Sequence, residues 1–266
     1  MLDIEAALIA SAVEAFRTTR FYGDLYDVEP TQASSIPFIT ASTYHKAAGL
    51  LDCVSNREAM IGVLPPYVRD ASRFPFVAPE DEPELVLRQR RIVRAFGDLG
   101  VDFKAAPRLL IVADDRTGPF ACELAKGIYW EGCQASITYL DGQAEDVRRV
   151  VDEYDPDYVL LASGRSLGRV LDRPPSSVIL VEHCTDRPVD DSDFPALLYA
   201  DGVDLIGSRA LGRNGYDVDP EQLLVELEPA SQLSHVTKLR ATCLPMVRFG
   251  IGRRIPIAEG SHPRSP

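Results

Sequence analysis

The sequence predicts an α/β protein built on a layered, mostly parallel sheet that is flanked by helices. Two observations support this fold class. Short apolar runs alternate with amphipathic stretches through the middle of the chain, and strands that are apolar on both faces are typical of a parallel sheet covered on both sides. In addition, 45% of the 266 residues are hydrophobic, which is enough to bury a large core.

The individual elements follow from apolar periodicity and from the positions of proline. A helix is predicted over 4–19, and an aromatic, turn-rich stretch follows over 21–26. Five prolines between 62 and 83 indicate an irregular loop. Further helices are predicted over 84–99, 119–131 and 144–154, and strands over 108–113, 135–140, 158–162, 177–181 and 203–206.

After residue 212 the pattern changes to short alternating segments. The segments 216–218, 223–227 and 236–239 predict antiparallel strands of a second, smaller sheet. We therefore expect a helical N-terminal portion with the parallel core over 1–212, a small β-rich portion over 213–257, and a polar tail over 258–266.

Composition argues against several classes of function. The net charge of −12 disfavours nucleic acid as a partner, and the basic stretch Arg88–Arg94 is interpreted as the solvated face of a helix. No apolar run reaches the roughly 20 residues that span a bilayer. Five scattered cysteines without a CxxC pair and only four histidines predict a reducing, cytoplasmic location with no metal site.

Candidate functional residues follow two of the predicted strands, where open α/β sheets bind ligands. Glu182 and His183 end one strand, and His183 is a candidate general base; the alternative is a hydrogen-bonded loop histidine. Cys184 is expected to be buried and inert. Ser163 and Arg165 follow the preceding strand and form a candidate anion site.

Four segments carry a family resemblance. They are FYGDLY at 21–26, IPFIT at 36–40, IGSRALG at 206–212 and PMVRFGIG at 245–252. In order and sequence they are similar to the motifs FYRxLY, LPFTTK, YGSTEAG and PLIRYRTGD of phenylacetate-CoA ligases. The chain therefore resembles the adenylate-forming superfamily, and the resemblance implies an acyl pocket beside 206–212.

The chain departs from these motifs where ligases bind ATP and Mg²⁺. Ala210, preceded by Arg209, stands where the family has a metal-binding glutamate, and neither side chain can ligate a cation. The proline-containing segment 64–70 replaces the phosphate loop, and Arg253 replaces a ribose-binding aspartate. Arg248 does match the family's arginine. The resemblance also leads us to expect that the C-terminal domain with the catalytic lysine is absent. It thus implies a fold like the truncated N-terminal domain of an adenylate-forming ligase.

The leading interpretation is a degenerate ligase homologue of a biosynthetic pathway that binds an acyl or aryl carboxylate, or its thioester, without ATP or another cofactor. Any catalysis is then ATP-independent acyl- or aryl-group chemistry. The alternatives are a non-catalytic partner of a ligase or carrier protein, and a split ATP-dependent ligase completed in trans. Self-association or a partner protein is expected. Arg209 either binds the ligand or pairs with Asp201 or Asp204. Six residues are predicted to bind substrate: Gly207, Ser208, Arg209, Ser163, Arg165 and Arg248.

Overall fold

The computed structural model describes residues 3–40, 50–55, 62–63, 79–114, 117–139, 144–162, 171, 173–184, 193–200, 203–240 and 243–258. The α-helices are α1 (Ile4–Thr18), α2 (Arg20–Leu25), α3 (Glu82–Asp98), α4 (Gly118–Trp130) and α5 (Ala144–Tyr154), and single 3-10 turns lie at Ala33–Ser35, Leu50–Cys53, Phe103–Ala105 and Pro175–Ser177. The strands are β1 (Gly62–Val63), β2 (Pro79–Glu80), β3 (Arg108–Ala113), β4 (Gln134–Tyr139), β5 (Tyr158–Leu161), β6 (Val178–His183), β7 (Ala196–Ala200), β8 (Asp204–Arg209), β9 (Asp217–Val218), β10 (Leu223–Leu227), β11 (Ser234–Lys238) and β12 (Phe249–Gly250).

The main sheet has seven strands in the order β4-β3-β5-β6-β7-β8-β9. The pairs β3–β4, β3–β5, β5–β6 and β6–β7 are parallel. Helices α4 and α5 connect β3 to β4 and β4 to β5, because parallel neighbours need a long crossover. The predicted fold class, a mostly parallel sheet flanked by helices together with a small antiparallel sheet, is confirmed.

The chain forms two compact units. The sheet unit comprises Gln89–Tyr199 and Asp204–Asp217. The terminal unit comprises Met1–Arg88, Ala200–Val203 and Val218–Pro266. Helices α1 and α2 therefore belong to the same unit as strands β10, β11 and β12. The division into domains over 1–212, 213–257 and 258–266 stays a prediction.

A single apolar core fills the sheet unit. Helices α3 and α4 contribute fully buried side chains, among them Phe96, Leu124 and Ile128, which pack with Ile111 and Leu160 of the parallel strands. Strand β3 is buried along nearly its whole length, as expected for a strand that has neighbours on both sides. This core fixes the strand ends at which the candidate site residues lie.

The terminal unit combines helices α1 and α2 with the antiparallel sheet β10-β11-β12. The fully buried Tyr22 ties its two ends together, because the hydroxyl of Tyr22 accepts a 2.9 Å hydrogen bond from the backbone N–H of Val247. Ile39 also forms an isolated parallel bridge with Phe249. Within the described residues, no helix is long and apolar enough to cross a membrane.

Three local expectations are corrected. The aromatic stretch over 21–26 is largely helical, since Thr19 caps α2 and Phe21 and Tyr22 are buried. The segment over 216–218 joins the main sheet as β9 instead of the small sheet. Strand β7 was not predicted, although its sequence ALLYA is wholly apolar and fully buried.

The expectation of a solvated basic face on α3 was wrong for two of its arginines. Arg88 and Arg91 are buried, and Nη2 of Arg91 lies 3.9 Å from Oδ2 of Asp204. An arginine can cover a core with its long apolar stem while its guanidinium pairs with a carboxylate. Arg90 and Arg94 are exposed as expected.

Candidate functional site

Two of the predicted site residues form a buried ion pair at the ends of β6 and β8. Nη2 of Arg209 donates a 3.0 Å hydrogen bond to Oε1 of Glu182, and the two side chains are only 7% and 5% exposed. Strand β7 lies between β6 and β8 in the sheet, so both long side chains reach across it. Among the described residues the acid that pairs with Arg209 is Glu182 and not Asp204, whereas Asp201 lies outside the described residues.

The guanidinium of Arg209 has further N–H donors besides the one that bonds to Glu182. Its central carbon lies 5.6 Å from the centre of the Tyr216 ring, which is within cation–π range. Its Nε is buried and has no hydrogen-bond partner among the described residues. A guanidinium carries five N–H donors in a fixed fork. The arrangement therefore leaves a donor next to the ion pair that an oxygen atom could use.

His183 follows Glu182 in β6 and lies in an aromatic cluster. It is buried, and its ring meets the Tyr199 ring edge-on, with 4.9 Å between the ring centres. Tyr199 in turn stacks face to face on Phe120 at 4.0 Å. The next residue, Cys184, is also buried, and its backbone N–H donates to the carbonyl of Tyr199. A role of His183 as a general base stays a prediction.

The side chains of Ser208 and Arg209 have different partners, although the sequence predicted that both bind substrate. Ser208 is almost fully buried, and its hydroxyl lies 3.4 Å from Oδ2 of Asp98 in α3. Neighbouring residues of a strand point to opposite faces, so Ser208 faces α3 while Arg209 meets Glu182. Gly207 directly precedes Ser208 in β8.

Arg248 has a full set of partners within the terminal unit. Its Nε and Nη2 donate to the two carboxylate oxygens of Glu226 at 3.0 and 2.8 Å. Its Nη1 donates to the backbone carbonyls of Ala33 and Ile36 at 2.8 and 2.6 Å. The guanidinium also lies 4.4 Å from the ring centre of Phe38. These contacts link the N-terminal segment to the small sheet.

Other predicted features lie outside the described residues. They are Ser163, Arg165 and the segment 64–70. Just before α4, Oδ1 of Asp114 accepts a 2.8 Å hydrogen bond from the backbone N–H of Thr117. In the described part of the chain, no group of three or more His, Cys, Asp or Glu residues is placed to hold a metal ion.

Sequence reasoning missed the aromatic neighbours of His183 and of Arg209. Tyr199 was missed because β7 was not predicted, and Phe120 was taken only as part of a helix. The apolar run ALLYA after Pro195 was the available signal for β7. Nothing in the sequence indicated that the ring of Tyr216 would lie beside Arg209.

Solved structures similar to this chain are acyl-CoA ligases. An open conformation of 2-hydroxyisobutyryl-CoA ligase (HCL) in complex with 2-HIB-AMP and CoA matches with a TM-score of 0.68 at 12% identity, over 93% of this chain and 67% of that chain. The same ligase with 2-HIB-AMP and CoA in the thioesterification state gives 0.70 at 13% identity, over 94% and 62%. Its postadenylation state with 2-HIB-AMP gives 0.69 at 12%, over 94% and 61%.

These matches define the fold. The chain has an adenylate-forming ligase-like fold, as the sequence resemblance implied, and it spans between 61% and 67% of the length of the ligase chains named above. No protein-family model matches the chain, and no curated protein matches it in sequence. At 12–13% identity the likeness concerns the fold, so the chemistry has to be argued from the residues.

Proposed function

We propose that this chain binds an acyl or aryl carboxylate, or its thioester, at the ends of β6 and β8 without using ATP, as a degenerate ligase homologue of a biosynthetic pathway. The ion pair between Arg209 and Glu182 carries the proposal. Arg209 lies in the segment 206–212, which is similar to the ligase motif whose glutamate binds Mg²⁺. A permanent cation there repels a metal ion, whereas its fork of donors suits a carboxylate.

The unused Nε of Arg209 supports binding of a ligand oxygen. Arg209 donates to Glu182 through Nη2, and its buried Nε has no hydrogen-bond partner among the described residues. Leaving a buried donor unsatisfied costs about 1–3 kcal/mol, so a carboxylate or thioester oxygen at this point would relieve that cost. The ring of Tyr216 beside Arg209 would suit an acyl or aryl group.

Calorimetry with two classes of ligand tests the proposal. We expect ATP·Mg²⁺ to bind with a Kd above millimolar, and phenylacetate, 2-hydroxyisobutyrate or their CoA thioesters to bind more tightly. A thermal shift that implies micromolar ATP affinity would refute it, because ligand at about 100 times its Kd adds roughly 2.7 kcal/mol of stability. The matched control is the double variant Glu182→Met/Arg209→Met, which removes both charges together and should lose the carboxylate but not the fold.

A second candidate, a non-catalytic partner of a ligase or carrier protein, is favoured by a different observation. Two of the three arginines that were expected to bind substrate already face a carboxylate within their own unit, Arg209 with Glu182 and Arg248 with Glu226. If no carboxylate or thioester changes the melting temperature, and Glu182→Met/Arg209→Met behaves like the wild type, this candidate replaces the first.

A further inference from the structure

We propose that two copies of this chain associate through strand β4, which pairs antiparallel with β4 of the second copy about a two-fold axis. The inference concerns the edge of the main sheet and does not rest on the proposed function. Pairing of this kind joins the two sheets into one continuous sheet across both copies.

Strand β4 is the terminal strand of the main sheet as described. The order of strands begins with β4, whose neighbour on the inner side is β3. All six residues of β4 pair with β3 in unbroken parallel register, from Arg108 with Gln134 to Ala113 with Tyr139. None of the six residues is buried, whereas β3 beside it is buried along nearly its whole length. The strand is therefore long, regular and partly accessible.

The sequence of β4 lacks the devices that keep an edge strand from pairing. Natural edges are protected by charged side chains, especially lysine, by proline, or by a bulge. The sequence QASITY contains neither charge nor proline, and the register with β3 contains no bulge. A strand with these properties is a template for a further strand.

Exposed aromatic residues flank both ends of β4. Tyr129 and Trp130, at the end of α4, are 72% and 58% exposed, and Tyr139, the last residue of β4, is 53% exposed. The ring of Tyr139 is held against Gly118, where an added Cβ would lie 2.9 Å from the ring. An exposed aromatic ring that is held in place is a good anchor for an interface, because little side-chain entropy remains to be lost.

A second copy of the chain is the partner that these features favour. The chain carries a net charge of −12, so like-charge repulsion opposes association over most of its surface. The residues of β4, which include Tyr139, and the neighbouring Tyr129 and Trp130 are uncharged. Two copies can therefore meet at this edge without repulsion between like charges on these residues. Antiparallel pairing also brings the Tyr139 end of one copy to the Gln134 end of the other, beside Trp130.

The first test uses the wild-type chain and its single tryptophan, Trp130. We expect light scattering to give twice the chain mass at high concentration and the chain mass after dilution. Emission from Trp130 should shift to shorter wavelength, and acrylamide quenching should weaken, over the same concentration range. A monomer at every concentration overturns the proposal, including the case in which β4 pairs only with a different protein.

The second test changes the edge itself. The double variant Ser136→Lys/Thr138→Lys should raise the dimer Kd by about tenfold or more, while Ser34→Lys/Ser176→Lys, which adds the same charge at exposed positions elsewhere, should leave it unchanged. Tyr139→Ser, at a half-exposed position, gives an independent reading if the lysine variant folds poorly, and it should also weaken the dimer. A dimer of undiminished affinity in the folded edge variants overturns the proposal.

Discussion

Arg209 and Glu182 form a buried ion pair whose two members lie on strands that are not neighbours in the sheet. The hydrogen bond between Nη2 and Oε1 measures 3.0 Å, and strand β7 separates β6 from β8. Two buried charges at this distance stabilise each other, but each would be costly alone in the apolar interior.

The first prediction is that the two single substitutions are each far more harmful than the pair. Arg209→Met leaves the Glu182 carboxylate buried without its cation, so we expect a loss of about 3–5 kcal/mol in the free energy of unfolding. Glu182→Met leaves the buried guanidinium of Arg209 without its carboxylate and should lower the free energy of unfolding by a similar amount. The double variant should recover most of the loss, since replacement of a buried pair by apolar residues is often neutral.

Urea unfolding of all four proteins closes the double-mutant cycle. A coupling energy near zero, with additive losses, would mean that the two side chains do not depend on each other. The same four proteins serve for ligand binding, so stability and affinity are measured on identical samples.

The sequence singled out Glu182 and Arg209 as candidate site residues, a role that stays a prediction, but it did not predict that they pair. Both stand at the ends of apolar runs, and this pattern marks the ligand edge of an α/β sheet. Their pairing depends on the strand order, which places β7 between them, and β7 itself was not predicted. The partners of Arg209 named from the sequence, Asp201 and Asp204, were simply the nearest acids along the chain.

Local pattern predicted the regular elements and failed where tertiary contacts decide. Strand β3 and helix α5 have the predicted bounds, because their apolar periodicity is unambiguous. Helix α2 was missed since Gly23 and two aromatic residues are weak helix formers; its stability comes from the Thr19 cap and from burial of Phe21 and Tyr22. Arg88 and Arg91 show the same limit, because only packing reveals that their stems are buried.

The second prediction contrasts two helical glycines. A Cβ at Gly127 in α4 would lie 2.6 Å from Cδ1 of Ile92, whereas a Cβ at Gly97 in α3 would meet nothing within 4 Å. We expect Gly127→Ala to destabilise by about 1–3 kcal/mol through overpacking, although alanine is the better helix former. Gly97→Ala should stabilise by roughly 0.5–1 kcal/mol.

Chemical denaturation of both alanine variants checks this contrast, and a third variant identifies the cause. Adding Ile92→Val to Gly127→Ala removes the obstructing Cδ1 atom, so the combined loss should be smaller than the sum of the two single losses. If Gly127→Ala is as harmless as Gly97→Ala, the close packing of α3 on α4 is wrong.

The third prediction compares two arginine–glutamate forks in different surroundings. Arg248 bonds both oxygens of Glu226 and two backbone carbonyls with its side chain 11% exposed. Arg17 forms the same two-bond contact with Glu29 but is 63% exposed. Arg248→Lys should cost about 2–3 kcal/mol, the range for hydrogen bonds to charged groups, because lysine cannot replace a planar fork.

Arg17→Lys is the matched control and should change the unfolding free energy much less than Arg248→Lys does, because solvent screens exposed pairs. Both values come from urea titrations in the same buffer. Equal losses for the two variants would contradict the view that Arg248 is a buried link between the N-terminal segment and the small sheet.

The last prediction concerns two buried tyrosines of the terminal unit. The hydroxyl of Tyr22 accepts from Val247 N–H, whereas the buried hydroxyl of Tyr26 has no hydrogen-bond partner among the described residues. Tyr22→Phe should therefore cost about 1–3 kcal/mol by leaving a buried N–H unsatisfied, while Tyr26→Phe should be neutral or stabilising. Thermal or urea unfolding at neutral pH distinguishes the two variants.

The same tyrosines make the fold sensitive to alkali. Burial raises the pKa of Tyr22 well above its ordinary value, and burial likewise raises the pKa of Tyr26, with the charge of Arg248 acting weakly in the opposite direction. A raised pKa means that the folded state holds its proton longer, so this stability is complete below the unfolded pKa of about 10 and declines above it. Each tyrosine contributes a decline of up to about 1.36 kcal/mol per pH unit. Tyr26→Phe should show a shallower decline above pH 10 than the wild type when unfolding is followed across the alkaline range, and identical slopes would contradict burial of the Tyr26 hydroxyl.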